Sequence, residues 1–299
     1  MKFTNGYWLM RDGVDALFAR DAYELHPDPE RETISVLAPT RPITERANTL
    51  NQPAFHVELS TPIEGVIRVR ATHWRGGPQG IGFPITQDEP GGRDYVHITT
   101  HGDGDGETGE RGATAALSSG GLTATVVKGP EWNLTFTDER GNTLTRSQGK
   151  SLARFALNKL ANVSAEPVGE FGVTRTGLAN DESRTFTSIQ LSLGVGETVY
   201  GFGERFAAFV KNGQSVDIWN EDGGTASEQG YKDIPFYMTS GGYGVFVNDR
   251  GHVSFEVGTV NTEAVQCSVP GETIDFCGIY GPTPKQILDR YTRLTGRPA

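Results

Sequence analysis

The chain has 299 residues, a length that suits one large all-β domain or two ordinary domains. Its formal net charge of −10 argues against a nucleic-acid partner, because phosphates would be repelled by an acidic surface. The N-terminus has no apolar signal segment and no long apolar run follows it, which predicts a soluble cytoplasmic protein with no membrane partner.

Glycine and cysteine usage narrow the fold class. The 39 glycines favour many short strands joined by tight turns. Two cysteines, Cys267 and Cys277, are too few for a disulfide framework or a zinc site. They flank Pro270 and Gly271, so a hairpin at that turn would bring them face to face. We favour the simpler interpretation of two small buried apolar side chains.

Alternation of apolar and polar residues predicts strands in the first part of the chain. Residues 33–38 and 55–59 have this pattern, and residues 64–74 carry it furthest. The alternation indicates a sheet with one face in solvent. Three tryptophans, Trp8, Trp74 and Trp132, are expected to serve core or edge packing.

Residues 76–112 interrupt the pattern with glycine, proline and acidic residues. The run Gly-Asp-Gly-Asp-Gly-Glu at 102–107 suggests calcium binding by composition. It lacks the residue order and the trailing Glu of a calcium loop, so we expect a solvated insertion and no metal. His97 and His101 stand four apart in a predicted strand, where such residues are well separated, and are not expected to share a metal.

Short strands return after residue 113 and dominate the rest of the chain. They are predicted at 122–127, 132–137, 183–193, 243–248, 253–257, 264–269 and 273–279. Strands separated by frequent turn signals, with almost no helix, predict a β-sandwich.

One helix is predicted at the end of the chain. Thr283 is a suitable N-cap, and Pro284 stands at the first helical position, where its missing N–H costs nothing. Gly296 is the expected stop. One apolar stripe is expected to dock on the sandwich or on a further domain, and it consists of Ile287, Leu288, Tyr291 and Leu294.

Residues 199–238 concentrate aromatic, acidic and glycine residues. Gly201 and Gly203 precede Glu204 and Arg205 in what is predicted to be a tight turn. A Trp-Asn-Glu-Asp patch at 219–222 then leads into two glycines. A Trp ring can stack on the apolar face of a sugar while the amide and carboxylate hold its hydroxyls. The alternative is a sandwich loop with one core Trp.

Three carboxylates in this region are candidate catalytic groups by position. Glycoside hydrolysis needs two carboxylates about 5 to 10 Å apart, one on each side of the scissile bond. Glu204 adjoins Arg205, which favours a structural ion pair or a turn cap. Asp222 borders the loop glycines and suits ligand binding better than acid catalysis, and Glu221 lies beside it. The sequence has no Gly-x-Ser-x-Gly elbow and no phosphate loop.

Three motifs occur in order in the second half of the chain. They are Tyr200-Gly201-Phe202-Gly203-Glu204-Arg205-Phe206, Trp219-Asn220-Glu221-Asp222-Gly223-Gly224-Thr225 and Ile234-Pro235-Phe236-Tyr237-Met238. Together with Gly6-Tyr7-Trp8-Leu9 and the closing run at 281–298, they resemble glycoside hydrolase family 31, and more closely its bacterial α-xylosidase branch. The resemblance covers essentially the whole chain.

The resemblance implies a galactose-mutarotase-like β-sandwich over residues 1–282. Residues 283–299 would form a helix and linker toward a (β/α)8 catalytic barrel that this sequence lacks. Because that barrel supplies both catalytic aspartates in the family, we expect no catalytic residue here and no activity from the 299-residue chain alone. The implied function is that of the N-terminal domain of a retaining α-glycosidase that hydrolyses terminal α-xylosyl or α-glucosyl residues.

The resemblance also implies substrate contacts and partners. Asp222 carries over as a substrate contact near the leaving group, with Trp219 and Asn220 shaping its loop. Glu221 replaces an Arg that the family often has, which changes the local charge. The implied partners are an α-xyloside or α-glucoside oligosaccharide, the protein's own barrel and further copies of the chain in a homo-oligomer. No cofactor is implied.

Two alternative functions stay open at this point. A free-standing carbohydrate-binding module would use the loop at 219–224 as its site. An aldose-epimerase-type enzyme on the same fold would need a histidine and a carboxylate that converge as acid and base, and no pairing is suggested by the sequence. The terminal helix favours the glycosidase domain, because a free module has little need of it.

Overall fold

The computed structural model describes residues 1–50, 53–77, 80–90, 93–102, 112–157, 184–220 and 230–297, and the backbone of 167–168 and 173–174. Strands account for most of the regular structure of these residues, and the all-β class is confirmed. The acidic run predicted as an insertion lies outside them from residue 103 onward.

The strands of the described residues are numbered in chain order. They are β1 (Thr4–Asn5), β2 (Leu9–Met10), β3 (Val14–Phe18), β4 (Glu24–Asp28), β5 (Thr33–Pro39), β6 (Ala54–Ser60), β7 (Val66–Thr72), β8 (Val96–His101), β9 (Thr114–Ser119), β10 (Leu122–Val127), β11 (Leu134–Thr137), β12 (Thr143–Ser147), β13 (Leu152–Leu157), β14 (Pro167–Val168), β15 (Val173–Thr174), β16 (Arg184–Ser192), β17 (Val199–Glu204), β18 (Gln214–Ile218), β19 (Lys232–Thr239), β20 (Tyr243–Val247), β21 (Val253–Val257), β22 (Ala264–Pro270) and β23 (Thr273–Tyr280). A 3-10 helix, Arg46–Thr49, follows β5, and the α-helix α1, Pro284–Thr295, follows β23.

These strands form three large antiparallel sheets. The eight-stranded sheet has the order β17-β19-β20-β23-β7-β6-β5-β4, the six-stranded sheet β18-β21-β22-β16-β13-β3 and the five-stranded sheet β12-β11-β10-β9-β8. One core cluster joins Val69 and Phe276 of the first sheet, Leu191 and Phe255 of the second and Ala124 of the third. One face of the eight-stranded sheet is therefore buried against both of the others, which is a sandwich.

Strand β7 shows how the sequence divides the two faces of the eight-stranded sheet. Ile67, Val69 and Ala71 are fully buried in the core, whereas Arg70 between them is exposed. This is the period-two alternation predicted for residues 64–74, and it is confirmed. Successive residues point to opposite faces, so this sheet has an inner apolar face and an outer face.

The predicted role of the tryptophans is confirmed for one of the three. Trp132 is 1% exposed, and its indole N–H donates to the Ser147 hydroxyl at 2.9 Å. Trp8 and Trp74 are 73% and 59% exposed, so neither belongs to the core. The Lys150 ammonium lies 4.4 Å from the Trp8 ring centroid.

The two cysteines lie on strands of different sheets. Strand β22 pairs within the six-stranded sheet and β23 within the eight-stranded sheet, so the turn at Pro270 and Gly271 carries the chain from one sheet to the other. It is not a hairpin that would place Cys267 opposite Cys277. Both thiols are free and fully buried, and the favoured interpretation of two small buried side chains is confirmed.

The predicted terminal helix is confirmed at both ends. The Thr283 side chain caps α1 by accepting from the Gln286 backbone N–H, Pro284 opens the first turn, and Gly296 follows the last residue with φ +99°. Within the described residues, no helix combines the length and hydropathy that crossing a bilayer requires. The domain boundary between residues 282 and 283 stays a prediction.

Helix α1 packs on the outer face of the eight-stranded sheet. Ile287 and Leu294 are fully buried against a cluster that includes Phe246. The Tyr291 ring stacks on Phe236 with centroids 4.1 Å apart. The predicted stripe is wrong at Leu288, which is 42% exposed because it lies one position round the helix from Ile287.

The adjacent pair Ile287 and Leu288 tests how much this docking stabilises the fold. We expect Ile287→Ala to lower the free energy of unfolding by about 2 to 4 kcal/mol, because it leaves a cavity between helix and sheet. Leu288→Ala should cost less than about 0.5 kcal/mol, because its side chain is at the surface. Urea unfolding followed by circular dichroism would measure both. Equal losses would mean that the helix is not anchored through Ile287.

Candidate functional site

The pairing of β17 with β19 contains a β-bulge where the sequence predicted a tight turn. Their register shifts between Gly201 and Gly203, where Phe202 alone lies opposite residues 234–236, so the extra residues belong to β19. Phe202 has φ +69° and is fully buried in the main core. The predicted turn is wrong, because residues 201–204 continue the strand. Strand β17 ends at Glu204, and Arg205 follows it outside the sheet.

Both glycines of the bulge are required by close backbone approach. Gly201 has φ +120°, and a Cβ there would lie 2.7 Å from the carbonyl oxygen of Phe236. Gly203 has φ +84°, and its Cβ would lie 2.1 Å from the carbonyl oxygen of Lys232. Backbone atoms cannot swing aside as a flexible side chain can, so only glycine fits.

A buried ion pair, here called the Arg205 clamp, fixes the chain beyond the bulge. Arg205 Nη1 donates to Asp233 Oδ1 at 2.8 Å and to the backbone oxygen of Asp217 at 2.9 Å. The two charged side chains are 4% and 1% exposed. Asn220 Oδ1 accepts from the backbone N–H of Asp233 at 2.8 Å. The clamp consists of these four residues and ties β17, β18 and β19 together at one edge.

Burial sets the electrostatics of the clamp. It raises the pKa of the Asp233 carboxyl above its usual value, while the Arg205 charge and a hydrogen bond from the Trp219 backbone lower it. Lys211 is 4% exposed, and burial lowers its pKa, with the nearby Arg205 charge acting in the same direction. Two cations and one carboxylate thus share a region of low dielectric beside the loop.

Trp219 stands at the surface next to this buried clamp. Its side chain is 52% exposed, and its ring centroid lies 6.0 Å from that of His252. His252 Nε2 lies 3.3 Å from Asp217 Oδ1. The hydrogen bond from His252 lowers the pKa of Asp217 to about 2. The exposed indole therefore lies beside charged side chains that neighbouring strands hold in place.

Glu204 takes the structural role that the sequence favoured, with a different partner. Its Oε2 lies 3.0 Å from Lys232 Nζ, across the β17–β19 pair, and both side chains are more than two-thirds exposed. Arg205 turns inward to Asp233 instead. The pairing expected from the adjacency of Glu204 and Arg205 is wrong, because cross-strand register pairs Glu204 with Lys232 instead.

Comparison with known protein families decides what kind of domain carries this site. The family model described as the glycosyl hydrolase 31 N-terminal galactose mutarotase-like domain matches residues 56–256. The chain belongs to this family. The resemblance seen in the motifs is thereby confirmed, and the sandwich described above is the fold of this domain.

Two curated relatives of this GH31 domain are α-xylosidases. The chain is 38% identical to α-xylosidase XylQ of Lactiplantibacillus pentosus over 99% of its length, which covers 34% of that protein. It is also 38% identical to an α-xylosidase of Emericella nidulans, over 100% of this chain and 36% of that one. The chain thus spans about a third of the length of the curated relatives it matches.

Solved structures agree on the fold of the GH31 domain. A Flavobacterium johnsoniae GH31 dextranase complexed with glucose superposes with a TM-score of 0.64 at 18% identity, over 95% of this chain and 29% of that one. A GH31 α-xylosidase from a soil metagenome complexed with xylose gives 0.55 at 18% identity, over 81% of this chain and 32% of that one. At such identities these matches establish the fold alone.

Two of the three predicted substrate-binding residues of the GH31 domain lie in described positions. Trp219 is half exposed, and Asn220 binds the Asp233 backbone. Asp222 lies with Glu221 outside the described residues, so its role stays a prediction. The sequence did not reveal Asp233 or His252 as parts of this region, because both reach it from other strands. The available signal for Asp233 was its position as an acidic residue at the start of a mostly apolar strand, β19.

The described residues also bear on metal binding. They contain no group of three or more His, Cys, Asp or Glu side chains arranged to hold a metal ion. His97 and His101 lie on one strand, β8, as predicted.

Proposed function

We propose that this chain is the N-terminal domain of a retaining α-glycosidase that hydrolyses terminal α-xylosyl or α-glucosyl residues. The whole-chain identity to α-xylosidases supports the activity, and membership of GH31 supports the class of substrate. The domain would lend the catalytic barrel a substrate-contacting loop and a packing surface. A cytoplasmic location and a homo-oligomer remain predictions from sequence.

The observation that carries the proposal is the pairing of an exposed Trp219 with a buried Arg205 clamp. Sites that hold a ligand in a defined pose need a rigid base. The clamp supplies one, since Arg205 and Asp233 are almost fully buried and Asn220 is held to the Asp233 backbone. The Trp219 ring stays available for stacking on a sugar. Asn220 then acts as a positioning residue, and Asp222 as the hydroxyl-binding carboxylate.

The packing of helix α1 supports the proposed connection to a catalytic domain. Its buried stripe attaches it to the outer face of the sheet, and Leu288 remains exposed on another side. A helix held in this way would give the following domain a fixed starting point. We propose that residues 283–299 lead into the barrel.

Turnover of an aryl α-xyloside by the longer enzyme tests the loop. We expect Asp222→Ala to lower kcat/KM about 10- to 100-fold, because it removes a charged hydrogen-bond acceptor. Trp219→Ala should lower it about tenfold through lost stacking. Neither should change Tm. Asn220→Ala should lower both, since a buried N–H of Asp233 loses its acceptor, at about 1 to 3 kcal/mol of stability.

Trp8→Ala is the matched control, because Trp8 is an exposed tryptophan of the N-terminal β-ribbon. It should leave kcat/KM unchanged. A change in Tm without a change in turnover for Asp222→Ala would show that the residue is structural and contradict the proposal. Clear turnover by the purified 299-residue chain would also contradict it, because no catalytic aspartates are expected in this chain.

A further inference from the structure

The outer face of the eight-stranded sheet carries a groove at the edge opposite the Arg205 clamp. Its volume is about 520 Å³, and strands β4 to β7 line it. Strands β4 and β17 are the two edges of this sheet. With neighbouring strands about 4.8 Å apart, the groove and the clamp are separated by about 30 Å. It is therefore a second site, distinct from Trp219.

Register across the four strands arranges the groove side chains in two parallel rows. One row contains His26, Ser35, Glu58 and Arg70, and the other contains Glu24, Leu37, His56 and Thr72. Cross-strand neighbours in such rows have Cβ atoms about 4.5 to 5.5 Å apart. Apart from Leu37, the side chains of these rows offer a ligand hydrogen-bonding groups at regular short intervals. Arg75 closes the groove beside these rows.

The charges of the groove nearly cancel. Glu24 and Glu58 oppose Arg70 and Arg75, and His26 Nε2 lies 3.2 Å from Glu24 Oε2. Burial and the Arg75 charge lower the pKa of His56, with Glu24 acting against them. A neutral imidazole donates through one nitrogen and accepts through the other. Donors and acceptors are therefore both present without a strong net charge.

We propose that this groove binds a neutral mono- or disaccharide. Adjacent sugar hydroxyls donate and accept at once, which matches alternating carboxylate, guanidinium and imidazole groups. An anion would face Glu24 and Glu58, and a cation would face Arg70 and Arg75. The volume of about 520 Å³ falls within the range of small-molecule sites, about 300 to 1,000 Å³.

A smaller adjoining cavity gives such a ligand room to extend. Its volume is about 160 Å³, and it shares Arg70 with the groove. Asn248 and Asp249 line its far side, and Asp275 pairs with Arg68 on its floor. Polar groups therefore continue along the same outer face, so a disaccharide should bind more tightly than a monosaccharide.

Equilibrium titration of the 299-residue chain with D-xylose, D-glucose and maltose, followed by saturation-transfer NMR, tests the site. We expect saturable binding, with slower hydrogen exchange in residues 54–60 and 66–72. His56→Ala and Glu58→Gln should each weaken it about tenfold or more, through lost charged or imidazole hydrogen bonds. Both side chains are exposed on the outer face, so thermal unfolding should show both variants folded.

His101→Ala and Glu131→Gln are the matched controls, since both residues are exposed and lie outside the groove. They should bind as the wild type does. Three results would each overturn the proposal: no saccharide binding by the wild type, equal affinity in the groove variants, or displacement of the sugar by inorganic phosphate. Loss of binding in Trp219→Ala would place the ligand at the other edge. None of these results depends on whether the longer enzyme hydrolyses α-xylosides.

Discussion

Replacing Arg205 by alanine should lower the free energy of unfolding by about 3 to 5 kcal/mol. The substitution leaves the Asp233 carboxylate buried without its cation, at a position where its side chain is 1% exposed. The cost of an uncompensated buried charge exceeds that of the lost hydrogen bonds alone. Urea unfolding at neutral pH would measure the loss, and aryl α-xyloside turnover by the longer enzyme should fall with it.

The pH dependence of the stability that Arg205→Ala removes identifies the cause of the destabilisation. Burial already raises the pKa of Asp233 above its unfolded value, so the folded state binds more protons between the two pKa values. The stability contribution of such a group falls as pH rises through that window. Without Arg205 the pKa rises further, so the loss should be greatest at neutral pH and should shrink on acidification. A loss that is independent of pH would show that packing, and not charge, is responsible.

Lys232→Ala is the control for the Arg205 clamp. It removes the other cross-strand cation of this edge, but its pair with Glu204 is open to solvent, with both side chains more than two-thirds exposed. Exposed pairs typically contribute no more than about 1 kcal/mol. We therefore expect a small change at Lys232 beside a large one at Arg205. Comparable changes would contradict the role assigned to burial.

Gly203→Ala should lower the free energy of unfolding by about 2 to 5 kcal/mol, combining left-handed backbone strain with a steric clash. The clash is with the Lys232 carbonyl oxygen, 2.1 Å from the new Cβ. Relief requires β17 to part from β19, which would displace Arg205. Chemical denaturation and the kcat/KM of the longer enzyme should both report the change.

The Gly213→Ala variant measures the cost of left-handed backbone strain without a steric clash. Gly213 has φ +80°, close to the +84° of Gly203, but nothing lies within 4 Å of its Cβ position. It should cost only the backbone strain, about 1 to 2 kcal/mol. Similar losses of stability in the two glycine variants would show that the steric clash between β17 and β19 does not contribute to the effect of Gly203→Ala.

Local patterns were sufficient to predict the elements of the fold. The alternation at 64–74 gave β7, because a sheet with one buried face imposes period two on its sequence. Thr283, Pro284 and Gly296 gave α1, because capping is a local property of the backbone. Neither pattern specifies which strands become neighbours. The Gly-Phe-Gly segment was accordingly predicted as a turn, although it continues β17 and lies opposite a bulge in β19.

The candidate sites were predictable only where their residues are adjacent in the sequence. Trp219 and Asn220 stand side by side and were predicted. Arg205 and Asp233 are 28 residues apart and meet only through the β17–β19 register. The groove was still harder to predict from the sequence, because His26 and Glu58 lie on strands separated by β5. The histidine–carboxylate pair His26–Glu24 lies within β4 itself and was not predicted.

The irregular backbone of β17 also affects how copies of this chain can associate. Among the described strands, β17 is an edge of the eight-stranded sheet, so one side of its backbone has no strand partner. A regular edge would accept a strand from another molecule and continue the sheet. The left-handed backbone at 201–203 breaks the even spacing of N–H and C=O groups that such addition needs. Strand addition along residues 201–203 is therefore disfavoured by the backbone geometry of this edge.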